Sequence, residues 1–317
     1  MKLSVVVPVY NEAENLAPLV AELESVLSCM EQPFEVIIVD DGSNDGSAEV
    51  LRALYREKSC LKVIRLKRNF GQTPAVAAGL NHARGEVIVP MDGDGQNDPR
   101  DIPRLLAKLG EGFDLVCGWR RPRQDPYWSR QLPSHMANNL ISWITGVKIH
   151  DYGCTLKAIR KEVAKDLRLY GEMHRFIPAL ADERGARIAE IQVNHRPRRH
   201  GKSKYGLART LRVLLDLLTV KFLQLYATRP LHVFGLIGLG SGALGFLLGI
   251  YLSLQKLLYR AEIGGRPLLL LTVLLIVIGF QFVSMGLLGE LLARTYHESQ
   301  NKPIYVIGEI LERPRTM

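Results

Sequence analysis

The sequence lacks a glycine-rich loop at the end of its first apolar strand, which ends in Val7-Pro8-Val9-Tyr10-Asn11-Glu12. Dinucleotide-binding folds and P-loops need such a loop, because glycine lets the backbone come close to phosphate groups. Both kinds of site are therefore excluded at this strand. A G-x-G-x-x-G match does occur from Gly240 to Gly245, but it lies inside a long apolar run with no strand before it. We interpret that match as part of a membrane helix.

Closely spaced cysteine pairs and a secretory leader are also missing. Cys29, Cys60, Cys117 and Cys154 lie far apart and form no C-x-x-C pair, so we expect buried, reduced thiols in a cytosolic compartment. The apolar run from Met1 to Val9 is too short for a cleavable signal peptide and leads directly into a folded-domain pattern. We expect that folded domain to remain in the cytosol.

Negative charge is in deficit, and the formal net charge is +9. Basic residues cluster at 65–68, 120–123 and 196–204. Such clusters suit phosphate groups, whether in nucleic acid, nucleotides or anionic lipid headgroups. Because long apolar runs follow in the sequence, we favour lipid phosphate and expect no nucleic-acid partner.

Short apolar strands alternate with helical periods in the first part of the chain. Strands are predicted at residues 3–9, 34–39, 61–66 and 86–91, with helices between them. This alternation is typical of βαβ units and predicts an α/β fold with a mostly parallel sheet. Ligands bind such sheets outside the carboxyl ends of the strands. Tyr10, Asp41 and the loop from Asp92 to Asp94 are expected at those ends.

Two long apolar runs occupy most of the last third of the chain. Leu231 to Leu254 carries no formal charge, and Leu268 to Gly289 stays apolar until Glu290. At ~1.5 Å per residue the first run reaches about 36 Å, enough to cross a hydrocarbon core of ~30 Å. The preceding stretch from Leu207 to Thr228 has an amphipathic helical pattern, which predicts a helix in the membrane interface. A small-residue face for close helix packing is predicted from Gly238, Gly242, Gly245 and Gly249.

Carboxylates follow two of the predicted strands. Near Tyr10, whose ring can stack on a base, the stretch from Asp40 to Ser47 offers acceptors for ribose hydroxyls or base N–H groups. Asp92-Gly93-Asp94-Gly95-Gln96 places two carboxylates one residue apart, which suits an octahedral Mg²⁺ or Mn²⁺ that also binds a diphosphate. Each pattern has a simpler alternative. The first is a strand–turn–helix connection capped by Asn44 or Asp45, and the second is a surface acidic turn.

Taken together, these stretches resemble glycosyltransferase family 2 and, within it, the polyprenyl-phosphate glycosyltransferases. That group includes bactoprenol glucosyltransferases, undecaprenyl-phosphate formamido-arabinose transferases and dolichol-phosphate mannose synthases. The resemblance covers nearly the whole chain and continues through residues 68–72, 151–157, 198–205 and 285–290. It implies a GT-A fold, a divalent metal (Mg²⁺ or Mn²⁺) and inversion at the anomeric carbon. The implied reaction moves a sugar from a UDP- or GDP-linked donor to a polyprenyl phosphate in the bacterial inner membrane.

The resemblance also implies roles for individual residues. Nucleotide-sugar binding is assigned to Pro8, Tyr10, Glu12, Asp40, Asp41 and Asp92. Metal and diphosphate binding is assigned to Asp92, Asp94 and Gln96, and catalytic roles are assigned to Asp94 and Asp151. Lipid-phosphate binding is assigned to Arg120, Arg130, Arg198, Lys202 and Lys204. The metal loop departs from the usual Asp-Ala-Asp-Leu-Gln pattern, because glycine stands at both intervening positions.

The predicted organisation has four parts. Residues 1–206 form a cytosolic GT-A catalytic domain, 207–229 an amphipathic juxtamembrane helix, 230–292 a two-helix transmembrane hairpin, and 293–317 a cytosolic tail. Partners are the nucleotide sugar, polyprenyl phosphate, the lipid bilayer and further copies of the chain, with a tetramer suspected from the family. The main alternative is a processive polysaccharide synthase, which would normally need more spans and a Q-x-x-R-W motif that this sequence lacks. A non-catalytic nucleotide-sensing scaffold would explain the anchor but not the paired carboxylates.

Overall fold

The computed structural model describes residues 2–121, 138, 141–142, 145–167, 169, 173–197, 230–259, 262, 264, 266–299 and 304–313. The chain divides into two compact units. The globular unit comprises Met1–Val220 and Pro303–Met317, and the helical hairpin comprises Lys221–Lys302. The interface helix predicted from Leu207 to Thr228 lies outside the described residues.

The globular unit begins with alternating strands and helices. These are β1 (Leu3–Val9), α1 (Ala13–Ser28), β2 (Phe34–Asp40), α2 (Ser47–Glu57), β3 (Leu61–Leu66), α3 (Gln72–His82) and β4 (Val87–Pro90). Next come a 3-10 turn (Pro99–Asp101), α4 (Ile102–Gly110), β5 (Leu115–Arg120), β6 (Lys157–Arg160), α5 (Lys161–Asp166), a second 3-10 turn (Met173–Phe176), α6 (Ile177–Asp182), β7 (Ile188–Val193) and β8 (Ile307–Leu311). The four strands predicted from the sequence are confirmed to within one residue at each end.

The strands that the structure describes form one eight-stranded sheet in the order β7-β5-β6-β4-β1-β2-β3-β8. β1 pairs in parallel with β2 and β4, β2 with β3, and β5 with β7. β6 and β8 run antiparallel to their neighbours. The predicted α/β class with a mostly parallel sheet is confirmed.

Helices cover both faces of the sheet, which explains why the central strands are continuous apolar runs instead of alternating ones. One face packs against α1, α2 and α4 through a buried cluster that includes Leu16, Leu23 and Leu105. The other face packs against α3, α5 and α6, with Phe176 among the largest buried side chains. The parallel strands β1, β2 and β4 end at one edge, and they deliver Tyr10, Asp41 and Asp92 there.

The C-terminal segment differs from the tail that we expected at 293–317. Its residues Ile307–Leu311 form β8, which pairs with β3 at the sheet edge. Tyr305 is buried, and its hydroxyl accepts a hydrogen bond from the Asn81 amide at 3.0 Å. Arg52 pairs with Glu309 at 2.8 Å. The segment is therefore built into the globular unit, because apolar burial and ion pairs compensate for ordering it.

The helical hairpin consists of α7 (Pro230–Tyr259) and α8 (Pro267–Ser299). Phe234–Tyr259 and Pro267–Gly289 are long and apolar enough to cross a membrane, with mean hydropathies of 1.8 and 2.6. Only 22% of the most apolar stretch of the first helix and 11% of that of the second are buried, whereas a core helix of a soluble protein is mostly buried. These candidate spans overlap the two predicted runs.

Glycines let the two hairpin helices approach closely. A Cβ added at Gly279 would lie 2.7 Å from the Gly238 carbonyl oxygen and 2.8 Å from the Gly242 nitrogen. A Cβ at Gly245 would lie 2.9 Å from the Ile276 side chain, whereas at Gly249 the nearest atom is an ordinary 3.5 Å away. A Cβ at Gly238 would lie 2.7 Å from the Gly279 carbonyl oxygen, whereas a Cβ at Gly242 would have no atom within 4 Å. Close packing therefore requires glycine at two of the four predicted positions, Gly238 and Gly245. The G-x-G-x-x-G match lies within α7 and follows no strand.

The four cysteines are free, but, contrary to our expectation, only two of them are buried. Cys117 and Cys154 are buried, Cys60 is half-buried and Cys29 is exposed. Cys29 follows the last turn of α1 at the surface, since the apolar face of that helix ends at Leu27.

Candidate active site

The loop after β4 carries the paired carboxylates and is held by its own hydrogen bonds. The Asp92 backbone N–H donates to the Asn97 side-chain oxygen at 3.0 Å, and the Gln96 N–H donates to Asp94 Oδ1 at 3.1 Å. The Gln72 side-chain amide, at the start of α3, donates to Asp92 Oδ1 at 2.8 Å. The two carboxylates are therefore fixed in direction before any ligand binds.

The surroundings of Asp92 raise its pKa to about 6. Burial is the largest cause, and the neighbouring charge of Asp94 adds to it. A hydrogen bond from Thr155 and the positive charges of Arg120 and Lys157 act in the opposite direction. Two carboxylates that share a poorly solvated loop favour an added positive charge, and this is what a divalent cation supplies.

The ligand set fits a cation that is shared with a substrate. Among the described residues, no group of three or more His, Cys, Asp or Glu side chains forms a complete metal site. Mg²⁺ is commonly held by one or two carboxylates together with phosphate oxygens and water. Asp92 and Asp94 match that incomplete set. The side-chain nitrogen of Gln96 lies 3.5 Å from the Arg196 carbonyl oxygen, so this amide contacts the segment after β7. Its role as a metal ligand stays a prediction.

Asp41 lies directly after β2 and holds the loop between β3 and α3. Its two carboxylate oxygens accept backbone N–H groups of Phe70 and Gly71, each at 2.8 Å. Burial raises the Asp41 pKa to about 6, assisted by the charge of Asp40 and opposed by those two N–H groups. At the adjacent Gly42, φ is +69° and a Cβ would lie 2.5 Å from the Arg68 carbonyl carbon, so only glycine fits there.

Asp40 faces the protein interior and is fully buried. Its Oδ1 accepts the Ser43 N–H at 2.9 Å, and its Oδ2 lies 3.3 Å from Arg65 Nε. In this structure Asp40 supports the turn that carries Asp41 and does not present its carboxylate at the surface.

The end of β1 is fixed by polar contacts to the turn after β2. Pro8 is buried within the strand, whereas Tyr10 and Glu12 are half-buried at its end. Asn11 has a φ of +54°, and its N–H donates to Ser43 Oγ at 2.9 Å. Asp45 accepts the Ala13 N–H at 3.1 Å and the Ser47 N–H at 3.1 Å. Asp45 thus contacts the first residue of both α1 and α2, but the N-cap position of α2 is Gly46, so the predicted cap by Asn44 or Asp45 is wrong.

Asp151 and Arg120 form a buried, bidentate ion pair. Arg120 Nε lies 2.7 Å from Asp151 Oδ2, and Arg120 Nη2 lies 2.9 Å from Oδ1. Asp151 is 2% exposed, and the Arg120 side chain is 16% exposed. Burial lowers the pKa of the guanidinium, but Asp151 outweighs this and raises it further above its ordinary value. Arg120 is therefore a permanent cation with a fixed direction.

The predicted donor and metal residues meet at one edge of the sheet, and Arg120 with Asp151 lies close enough for the Arg120 charge to act on Asp92. Arg130, Arg198, Lys202 and Lys204 lie outside the described residues. Sequence reasoning missed the supporting contacts of Gln72, Asn97, Thr155 and Lys157. No sequence signal marks Lys157, because β6 reads Lys-Ala-Ile-Arg with a charge at each end. In the structure Lys157 is buried, and its ammonium group donates to the Cys154 carbonyl.

Comparison with known proteins identifies the family. The model of glycosyl transferase family 2 matches residues 4–168. Dodecaprenyl-phosphate galacturonate synthase of Rhizobium johnstonii is 45% identical, with 98% of this chain and 94% of that protein covered. Undecaprenyl-phosphate 4-deoxy-4-formamido-L-arabinose transferase of Shewanella sediminis is 40% identical, with 97% and 92% covered.

Solved structures agree on the fold. Glucosyl-3-phosphoglycerate synthase from Mycobacterium tuberculosis, in complex with Mn²⁺, UDP and phosphoglyceric acid, has a TM-score of 0.54 and 19% identity. The match covers 70% of this chain and 78% of that one. The GT-A fold predicted from the sequence is confirmed, and the protein is an enzyme of the glycosyltransferase class. The chain belongs to glycosyl transferase family 2, which also confirms the resemblance drawn from its motifs.

Proposed function

We propose that this enzyme transfers a sugar from a nucleotide-diphosphate sugar to the phosphate of a polyprenyl phosphate, with inversion at the anomeric carbon. The observation that carries the proposal is the meeting of Asp92 and Asp94 with the Arg120–Asp151 pair at one edge of the sheet. The named relatives at 45% and 40% identity support a polyprenyl phosphate as acceptor.

Asp92 and Asp94 are the residues that would hold Mg²⁺ or Mn²⁺ and, through it, the donor diphosphate. A bound ion there neutralises negative charge that develops on the leaving nucleotide diphosphate. Asp41 and Tyr10, at the ends of β2 and β1, would bind the nucleoside. In this arrangement the donor lies along the carboxyl ends of β1, β2 and β4, with its sugar towards Arg120 and Asp151.

The acceptor needs positioning more than it needs a base. A phosphate monoester has a second pKa of about 6 and is already largely dianionic at neutral pH. Its oxygen forms the new bond to the anomeric carbon, while the bond from that carbon to the diphosphate breaks and the nucleotide diphosphate leaves. Arg120 would screen the acceptor charge and aim it. Arg130, Arg198, Lys202 and Lys204 would contribute further cations.

Asp151 would act by orienting Arg120. Both of its oxygens are engaged by the guanidinium, and it is 2% exposed, so its carboxylate has little access to a reacting group. These contacts support an orienting role and not that of an obligatory base.

We further propose a two-pass membrane topology with the globular unit in the bacterial cytosol. The sheet contains β1 to β7 from before the hairpin and β8 from after it. An even number of crossings is the arrangement that returns the chain to one side of a bilayer. In intact cells, externally added protease should spare tags at both termini, and cleavage of either tag would contradict the topology.

Purified full-length enzyme, incubated with polyprenyl phosphate and nucleotide-activated sugars, tests the reaction directly. Galacturonate and formamido-arabinose donors should come first, since the relatives name those sugars, followed by glucose and mannose. Mass spectrometry should show one sugar joined through a single phosphate. A growing polymer would favour the processive synthase, and the absence of transfer to any lipid phosphate would refute the proposal.

A further inference from the structure

Glu190 lies in β7 and directs its carboxylate at the backbone that carries Asp151. Its two oxygens accept the His150 N–H at 3.1 and 3.2 Å, and Oε1 also accepts the Asp151 N–H at 3.2 Å. His150 Nδ1 lies 2.7 Å from Oε2. The Glu190 side chain is 13% exposed, and its bond to the Asp151 N–H is partly buried, whereas its contacts with His150 lie at the surface.

We propose that Glu190 is a positioning residue for sugar transfer, acting through the backbone at 150–151. This inference rests on the proposed function. The connection from Gly146 to Leu156 has no regular strand or helix, so its N–H groups lack ladder partners and need other acceptors. A carboxylate that accepts two successive N–H groups makes charge-assisted hydrogen bonds, which are stronger than neutral ones.

Glu190 acts on Arg120, the cation proposed to hold the acceptor phosphate, in two steps. Glu190 fixes the backbone of Asp151, and the Asp151 carboxylate fixes the Arg120 guanidinium at 2.7 and 2.9 Å. A shift of the 150–151 backbone would therefore turn Arg120 away from the acceptor. Misplacement by about 1 Å can cost a factor on the order of a hundred in rate.

The same strand pair contains a matched control. Asp114, just before β5, accepts the Arg187 N–H at 2.9 Å and contacts Arg187 Nε at 3.2 Å. Asp114 joins the β5 and β7 chains through a carboxylate bound to backbone, just as Glu190 joins β7 to the backbone at 150–151. It does so at the opposite end of these parallel strands, away from Arg120. Asp114→Ala therefore removes a similar structural contact without touching the site.

A second variant separates the backbone contact from the imidazole. The His150 ring stacks on Trp119 with centroids 4.2 Å apart, and its side chain is 66% exposed. His150→Ala removes the ring but keeps both backbone N–H groups for Glu190. If Glu190 acts through the backbone, this variant should retain turnover within about twofold of wild type.

The experiment compares Glu190→Ala, Glu190→Gln, His150→Ala and Asp114→Ala in the full-length enzyme. Readouts are kcat, KM for undecaprenyl phosphate, donor-nucleotide affinity and melting temperature. Glu190→Ala should lower kcat/KM for the acceptor by up to about tenfold, with donor affinity within about twofold of wild type. Glu190→Gln keeps one acceptor oxygen and should recover part of that loss. Asp114→Ala should lower the melting temperature at least as much yet keep turnover.

Three outcomes would overturn the inference. The first is normal acceptor kinetics in Glu190→Ala or, if that variant does not fold, in Glu190→Gln. The second is a loss of turnover in Asp114→Ala as large as that in Glu190→Ala. The third is an equally large loss in His150→Ala. Failure of the proposed function is seen separately, because the wild-type enzyme would then transfer no sugar to undecaprenyl phosphate in the same assay.

Discussion

The globular unit and the helical hairpin differ in where their large apolar side chains lie. Among the described residues of the globular unit, only Val306 and Ile310 are exposed large apolar side chains. In the hairpin, α7 and α8 expose leucine, isoleucine, valine and phenylalanine along most of their length. The globular unit excludes water from a two-sided sheet, whereas the hairpin has the surface of a protein that lipid surrounds. The surface of the globular unit therefore suits water, and the surface of the hairpin suits lipid.

The two units are also held together differently. In the globular unit, carboxylates such as Asp41, Asp92 and Asp151 fix loops at the sheet edge. In the hairpin, Gly238 and Gly279 allow the two backbones to touch. Hydrophobic burial gives little drive for association inside a bilayer, so close packing must supply it. Neutralising a carboxylate should therefore disturb chemistry, and adding a methyl group at a glycine should disturb packing.

The largest expected effect is at the paired carboxylates. Asp94→Asn removes a charged ligand for a hard cation, so turnover should fall about a hundredfold or more, and donor affinity should fall with it. Steady-state kinetics across a Mg²⁺ and Mn²⁺ titration measures both. Glu111→Gln, which changes an exposed carboxylate paired with Lys108, is the control and should behave like wild type. Full wild-type activity in excess EDTA would contradict the metal assignment.

The hairpin offers the next test. Gly279→Ala forces a Cβ to within 2.7 Å of the Gly238 carbonyl oxygen, whereas a Cβ at Gly240 has no atom within 4 Å. Overpacking of this kind costs about 1–3 kcal/mol, so Gly279→Ala should destabilise the hairpin while donor-nucleotide binding stays unchanged. Gly240→Ala, the matched control, should be neutral or slightly stabilising. Reversible unfolding in detergent micelles measures the difference, and equal stability of the two variants would refute the packing argument.

Asp151→Asn should have a smaller effect on turnover. The amide keeps one oxygen for Arg120 but loses the charge, so kcat should fall about tenfold with measurable activity remaining. If Asp151 only orients Arg120, the pH profile should gain no new alkaline limb. Complete inactivity at every pH, with both substrates still bound, would identify Asp151 as the base and refute the positioning role.

The parts of the fold that the sequence predicted are those with local signals. Strands such as Leu3–Val9 are continuous apolar runs that end in turn residues, and both membrane runs are long and nearly uncharged. β8 had no such signal. Its five residues pair with β3, more than 240 positions earlier, and a local pattern does not specify such a distant partner.

The same limit applies to the site. Asp92 and Asp94 stand out because they are neighbours in sequence after a strand. Gln72, Thr155 and Glu190 come from three other segments, and only the folded sheet brings them to these carboxylates or to Asp151. The sequence also could not show that Asp40 faces inward while Asp41 faces the loop at 70–71. Successive side chains at a strand end point to opposite sides, and the sequence does not tell which of the two aspartates points inward.

The smallest expected effect is a pH dependence confined to the globular unit. Burial raises the Asp41 pKa to about 6 from an ordinary value of 3.8. The folded state therefore binds this proton more tightly than the unfolded state does. The Asp41 contribution to folding stability is fully present below pH 3.8 and is lost as the pH rises through 6. The hairpin run from Val233 to Leu254 contains no Asp, Glu, His, Lys or Arg and should not respond in this pH range.

Nucleoside binding should change in the opposite direction, which makes the test specific. An ionised Asp41 accepts a base N–H, whereas a protonated one is a poorer acceptor, so affinity should be about tenfold weaker at pH 5 than at pH 7. Uridine and guanosine, followed by saturation-transfer NMR, carry no phosphate and so avoid the metal loop and its own titration. Asp41→Asn should remove the pH dependence of nucleoside affinity between pH 4 and 7. It should also remove the contribution of Asp41 to the pH dependence of folding stability in that range. If the wild-type protein binds nucleosides equally well at pH 5 and pH 7, Asp41 does not bind the base, and its carboxylate serves only the backbone of Phe70 and Gly71.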